Sequence, residues 1–287
     1  MDDNKLIKIN TGLEKVSKQI AITNKLLTGI ELVNHGIQMV FVQGGYFNMG
    51  SDSDIENPPH SVKLSDYYIG KFPVTTREWN KIIGNGSDAS LGELNKKFRI
   101  RDGFMSKIKN IVGAKNRSSG IENRPSDGNL PITNISLELV NRFIAELNER
   151  TGNKYRLPTE AEWEYSARGG VKSNNYRHSG SNNLADVGWY AGNCSSIQPV
   201  GTKKPNELGI YDMSGNVAEW CADKFRRDYS QILRNENPKC TDGGDPVVRG
   251  GTYRWENGIT STLTMRSCYP PIGGDCIGFR LACDSVN

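Results

Sequence analysis

Thiols are the groups in this chain most able to do chemistry. The six cysteines are Cys194, Cys221, Cys240, Cys268, Cys276 and Cys283, all in the last third. An even number permits disulfides, but a chain of 287 residues does not need staples to hold a core. No CxxC occurs, which argues against a zinc ribbon or a thioredoxin-like site. The three histidines, His35, His60 and His178, show no ligand spacing. The last third is therefore where chemistry is to be sought.

The elements that must position these groups begin with an amphipathic segment. Leu13, Val16, Ile20, Thr23, Leu27 and Ile30 share one helical face, so residues 1–37 read as a helix or spacer ahead of a domain at 38–287. The run Met39-Val40-Phe41-Val42 and the alternating Ser61-Val62-Lys63-Leu64 read as strands. Helices are predicted over Thr75–Ile83, Ser136–Arg150 and Thr159–Arg168, the last with a capping box from Thr159 and Glu162. Glu160, Glu162 and Glu164 near its start read as structural, as do Trp163, Tyr165 and Trp220. Residues from about 84 to 123 look like a polar, locally basic insertion.

Composition narrows the class. The 31 glycines imply many turns, and few long helices give an α+β domain rich in loops. A charge of +4, from 36 basic and 32 acidic residues, is too slight to indicate nucleic acid. No run approaches the roughly 18–20 apolar residues that span a bilayer. The polar run Met1–Lys8 lacks an apolar signal core, which reads as a cytoplasmic chain or one already trimmed.

Several segments carry a resemblance when taken together. They include Gly44–Gly50, Arg156-Leu157-Pro158-Thr159-Glu160-Ala161-Glu162-Trp163-Glu164-Tyr165 and Gly209-Ile210-Tyr211-Asp212-Met213-Ser214-Gly215-Asn216-Val217-Ala218-Glu219-Trp220. Arg249-Gly250-Gly251 and Gly278-Phe279-Arg280 complete the set. The chain resembles the formylglycine-generating-enzyme, or sulfatase-modifying-factor, domain from about Gln38 to Cys283. The resemblance implies a loop-rich variant of the C-type-lectin fold. The family's oxidases use two cysteines as copper(I) ligands just after the Arg-Gly-Gly turn, and copper(I) requires soft thiolates. Here Trp255 and Thr260, or Gly258 in a second alignment, stand at those positions, and no cysteine lies between Cys240 and Cys268. The expectation is a chain that is not an enzyme, with no catalytic residue or catalytic cofactor. The alternative is a copper-dependent formylglycine-generating oxidase. The family also implies one structural calcium site, carried onto the Asp212 and Glu219 carboxylates and the Gly215 and Val217 carbonyls, a donor set suited to a hard cation.

Residues about 249–283 have a different texture. The blocks Thr252–Ile259 and Ser267–Cys276 show no periodic pattern. Apart from Trp255 and Glu256, their residue types can all be reached from an AAC codon by changing only adenines. This is similar to the variable proteins of diversity-generating retroelements, those of spirochaetes in particular. That resemblance implies a cell-surface lipoprotein, monomeric, anchored through an N-terminal lipid on its precursor. It would bind an unidentified protein or surface ligand through Thr252, Tyr253, Arg254, Trp255, Asn257, Gly258, Ile259, Ser267, Cys268, Tyr269, Ile272, Gly273, Gly274, Asp275 and Cys276. Tyr253, Arg254, Trp255 and Tyr269 are the expected anchors, because aromatic and arginine side chains dominate contact energy.

Overall fold

The computed structural model describes residues 36–51, 58–83, 128–227, 235–255 and 261–284. The apolar run at its start is strand β1 (Met39–Val42). Gly44 follows because nothing larger fits: a Cβ there would lie 2.3 Å from the Leu64 carbonyl oxygen. Strands β2 (Gly45–Met49) and β3 (His60–Leu64) pair antiparallel, Gly45 opposite Leu64. Val62 and Leu64 are buried and Ser61 is exposed, the period-two pattern of a half-buried strand. Strand β4 (Tyr67–Gly70) lies between β1 and β10 (Ala282–Asp284), and β5 (Tyr155–Arg156) flanks β10. This antiparallel sheet ties the two ends of the domain together.

A second sheet runs in the order β8 (Arg266–Cys268), β7 (Pro246–Arg249), β6 (Ala218–Lys224) and β9 (Ile277–Gly278). Its pairs are antiparallel except β6 with β9. Strand β8 corrects the reading of Ser267-Cys268-Tyr269 as unpatterned. Three residues are too few to show a period, and backbone pairing with β7 defines the strand instead.

The predicted helices form within a residue or two of their expected ends. Helix α1 (Thr76–Ile83) starts after Thr75, whose N–H donates to Glu78 Oε2 at 2.7 Å while Glu78 N–H donates to Thr75 Oγ1 at 3.2 Å. Helix α2 (Leu137–Thr151) is capped by Ser136 and stops at Gly152, which has a φ of 70°. Helix α3 (Glu160–Ala167) carries the full capping box of Thr159 and Glu162. A one-turn helix, α4 (Leu184–Val187), is too short to show a period in sequence and is capped by Asn183, whose side chain accepts from the Ala185 N–H. The N-terminal helix and the 84–123 insertion lie outside the described residues. No helix among the described residues is long and apolar enough to cross a membrane.

Two core clusters result. One lies under α2, where Trp79 stacks on Phe143 at 5.2 Å and Phe279 meets Phe143 edge-on at 5.5 Å. The other surrounds α3 and holds Trp163, Tyr165, Met213 and Leu263. Every residue of α3 is buried, its three glutamates included. Thr159→Ala should destabilise the protein by about 1 kcal/mol through loss of the cap, read as a lower urea midpoint with unchanged slope.

Candidate functional site

A carboxylate inside a protein is costly without a partner. The partners in this protein come from the C-terminal segment. Arg266 grips Glu160 with two bonds, Nε to Oε1 at 2.7 Å and Nη2 to Oε2 at 2.6 Å. Arg249 donates to Glu164, and also to the carbonyls of Leu263, Thr264 and Met265. Arg280 grips Glu219 at 2.6 and 2.7 Å, and Trp163 Nε1 donates to the same carboxylate at 2.7 Å. All these charged groups are buried. The expected structural role of Glu160 and Glu164 thus takes a definite form: they anchor the frame of the 249–283 segment. Glu162 instead accepts from Arg156 at 2.7 Å on both oxygens.

Between these anchors the backbone is pinned by bonds that use no side chain of the segment. Tyr253 N–H donates to Asn216, and Tyr269 N–H to Pro246. The carbonyls of Trp255, Pro271, Gly274 and Cys276 accept from Ala191, Leu137, Asn134 and Ala218. The path of the chain therefore does not depend on most of the side chains it carries.

The expected contact residues divide once placed. Arg254, Cys268, Tyr269, Ile272 and Asp275 are exposed, and Trp255, Ser267, Gly274 and Cys276 are half-buried. Arg254 and Asp275 pair at 2.6 Å and so join the two blocks into one surface. Burial, and then Asp275, push the Cys276 thiol up to about 11. Three expectations are corrected. Thr252 and Tyr253 are buried, because the turn after Gly251 carries them inward to the Asn216 carbonyl. The Tyr253 ring is no exposed anchor, and its hydroxyl accepts from Arg254 Nε at 2.9 Å. Gly273 is not free to vary: its φ is +84°, and a Cβ there would sit 2.3 Å from the Ile135 carbonyl oxygen. Asn257, Gly258 and Ile259 lie outside the described residues. All six cysteines are free thiols.

The calcium donor set meets a different partner. Both Glu219 oxygens are committed to Arg280, whose guanidinium supplies the positive charge at that carboxylate. Asp212 accepts the Gly201 N–H at 2.7 Å, and its Oδ1 has no hydrogen-bond partner among the described residues. Burial raises the Asp212 carboxyl to about 6. Of the two carboxylates in the implied donor set, Glu219 is thus matched by Arg280, and only the Oδ1 of Asp212 is left without a partner. Among the described residues, no group of three or more His, Cys, Asp or Glu is arranged to hold a metal.

A family model described as the sulfatase-modifying factor enzyme 1-like domain matches residues 30–285. The chain belongs to this family. It is 35% identical over 260 residues to a protein named chaperone protein LppX from Paenibacillus barcinonensis, covering 81% of this chain and 82% of that one. It is 28% identical over 283 residues to the formylglycine-generating enzyme of Streptomyces coelicolor, covering 85% and 87%. The solved structure of Treponema denticola variable protein 1 superposes with a TM-score of 0.71 at 24% identity, covering 89% of this chain and 99% of that one. The fold is accordingly the C-type-lectin-like, loop-rich scaffold that the family shares with that variable protein. The expectation that the chain is not an enzyme is overturned by relatives that are named enzymes of this family. The missing cysteines at Trp255 and Thr260 remain a departure at those two positions and do not decide the class.

The sequence reading missed what Arg249, Arg266 and Arg280 do. The only signal was their place in the framing strings, since their partners lie 85, 106 and 61 residues away. Glu160→Gln, which strands Arg266, should cost about 3–5 kcal/mol in urea unfolding. Glu236→Gln, in an exposed pair with Lys63, should cost less than about 1. Asp212 titrates at about 6 when folded against an ordinary 3.8, so its contribution to stability is full at low pH and is lost as pH rises between those values. Asp212→Asn should flatten that part of the stability profile.

Proposed function

We propose that the protein binds a ligand, most directly another protein, through exposed side chains held between Arg249 and Arg280, and that a retroelement diversifies this segment. The observation that carries the reading is the separation of frame from display. Buried arginine pairs and backbone bonds fix the path, while Arg254, Cys268, Tyr269, Ile272 and Asp275 project outward. Such a segment tolerates change without loss of fold, as a binding loop on a rigid scaffold must. Tyr269, Trp255 and Arg254 are the residue types that concentrate contact energy. The adenine-reachable composition of the two blocks supports diversification, and display at a cell surface on a lipid anchor goes with it. A relative named a chaperone supports a protein as the partner.

Family membership favours a second reading, oxidation of a substrate cysteine. Cys268 and Cys276 are then the thiols to consider, because they flank the displayed surface. Copper(I)-dependent turnover of a CxPxR peptide that is lost in Cys268→Ser or Cys276→Ser would establish it.

Two measurements test the main reading. The genome should hold a near-copy of the segment coding for Thr252–Ile277 beside a reverse transcriptase gene, and its absence removes the diversification. A partner selected by screening the purified chain against host and bacterial surface proteins should bind at least about thirtyfold more weakly to Arg254→Ala or Tyr269→Ala. Lys63→Ala, in the β2–β3 hairpin, should leave binding unchanged. Equal binding by all variants sinks the assignment of the surface.

A further inference from the structure

A cleft of about 850 Å3 opens between α2, the start of α3 and the second half of β6. That volume is typical of sites that hold a small ligand or a side chain with its neighbours. Leu137, Ile144 and Leu157 give it apolar walls. Its charged groups are unevenly committed. Arg156 is shared between Glu162 and Asp284, at 2.7 and 2.6 Å, so that triad carries one net negative charge. Asp223 is buried and accepts from the backbone N–H groups of Glu160 and Cys240, at 2.8 and 2.7 Å. No cationic side chain bonds to it among the described residues. Lys224 and Lys239, both exposed on the lining, bring its cations to three with Arg156, against the four carboxylates of Asp66, Glu162, Asp223 and Asp284.

The cleft is continuous with the displayed segment. Two of its lining residues hold that segment directly: Pro246 accepts from Tyr269 N–H at 3.1 Å, and Leu137 N–H donates to Pro271 at 2.9 Å. The displayed segment therefore borders the cleft wall at Tyr269 and Pro271.

We propose that this cleft receives an arginine or lysine side chain of the protein that the displayed segment binds. The proposal rests on that reading for the partner being a protein, while the charge of the cleft stands apart from it. The aliphatic stem lies against the apolar walls, and the cationic head meets Asp223 and the net-negative triad, a complementarity worth most where water is excluded. Burial, and then Glu160, hold the Asp223 carboxyl at about 7, with Lys239 drawing it down. The other titratable groups around Asp223 are Cys221 and Cys240, kept as thiols by burial, and Asp66, Arg156, Glu162, Lys224 and Asp284, which also line the cleft. A cation favours ionised Asp223, so its binding strengthens about tenfold between pH 6 and 8 and releases protons at the lower end.

The test uses the full chain and N-acetylarginine amide, with neutral N-acetylcitrulline amide and putrescine as comparisons, followed by NMR at the Ala222 and Lys224 amides. The expected result is saturable binding of the arginine amide with shifts centred there, at least tenfold weaker binding of the citrulline amide, and strengthening from pH 6 to 8. Asp223→Asn should abolish the pH dependence. Asn141→Trp, at an exposed position of α2 beside the cleft, should block binding without touching the core. Equal binding of the two amides, shifts elsewhere, or preference for putrescine overturns the proposal. Arg254→Ala and Tyr269→Ala should keep amide binding, so failure of the displayed-surface reading and failure of this one give different results.

Discussion

Three buried carboxylates dictate the architecture. Glu160 and Glu164 sit on a helix with no solvent-facing side, and Glu219 sits on the strand beneath it. An ionised carboxylate in such a place is tolerated only with a cation bonded to it. Arg266, Arg249 and Arg280 supply those cations, and all three arrive from the last forty or so residues. The α3 layer therefore cannot reach its final state until the C-terminal segment has docked. That segment is in turn fixed at three points by bonds too costly to break singly.

This constraint creates an asymmetry within one stretch of chain. At the frame, losing one partner leaves a buried charge. At the display, the Arg254–Asp275 pair is solvent-exposed on both sides, where an ion pair is worth about 0–1 kcal/mol. Substitution is thus expensive at Arg249, Arg266 and Arg280 and nearly neutral at Arg254 and Asp275. Gly273 obeys the rule of the frame although it lies in a displayed block, because its backbone conformation and the Ile135 carbonyl leave no room for a side chain.

What was legible in the sequence was local. The Thr159 and Glu162 box lies within one turn, and α2 announces itself by Leu137, Val140, Phe143, Ile144 and Leu147 on one face, although Leu137 is half-buried and Leu139 is buried beside the other four. The family strings gave the fold because they span the chain. What was not legible depends on distant partners. Glu219 in its motif suggests a calcium ligand, and only Arg280, 61 residues on, shows that its charge is already matched. Thr252 and Tyr253 look like surface residues until Asn216 draws the turn inward. The cleft draws on segments from Ser65 to Asp284, so no window of sequence contains it. Trp255 and Thr260 are likewise two positions within a domain whose family match runs from residue 30 to 285, so they do not decide its class.

Strand β6 joins the two surfaces. Side chains alternate along it, so Glu219 and Asp223 turn toward α3, where they meet Trp163 and the Glu160 N–H. Trp220 turns the other way and meets Tyr269 of the displayed segment edge-on at 6.4 Å. One face of a seven-residue strand thus carries the carboxylates that need arginine or an incoming cation, and the other face supports the display. A slip of one residue would exchange the faces, burying Trp220 against charged groups and turning Glu219 away from Arg280. The ion pair that fixes the C-terminal frame therefore also fixes the register that shapes the cleft wall. A substitution that weakens the Glu219–Arg280 pair would disturb both surfaces together, although no residue of the pair reaches solvent.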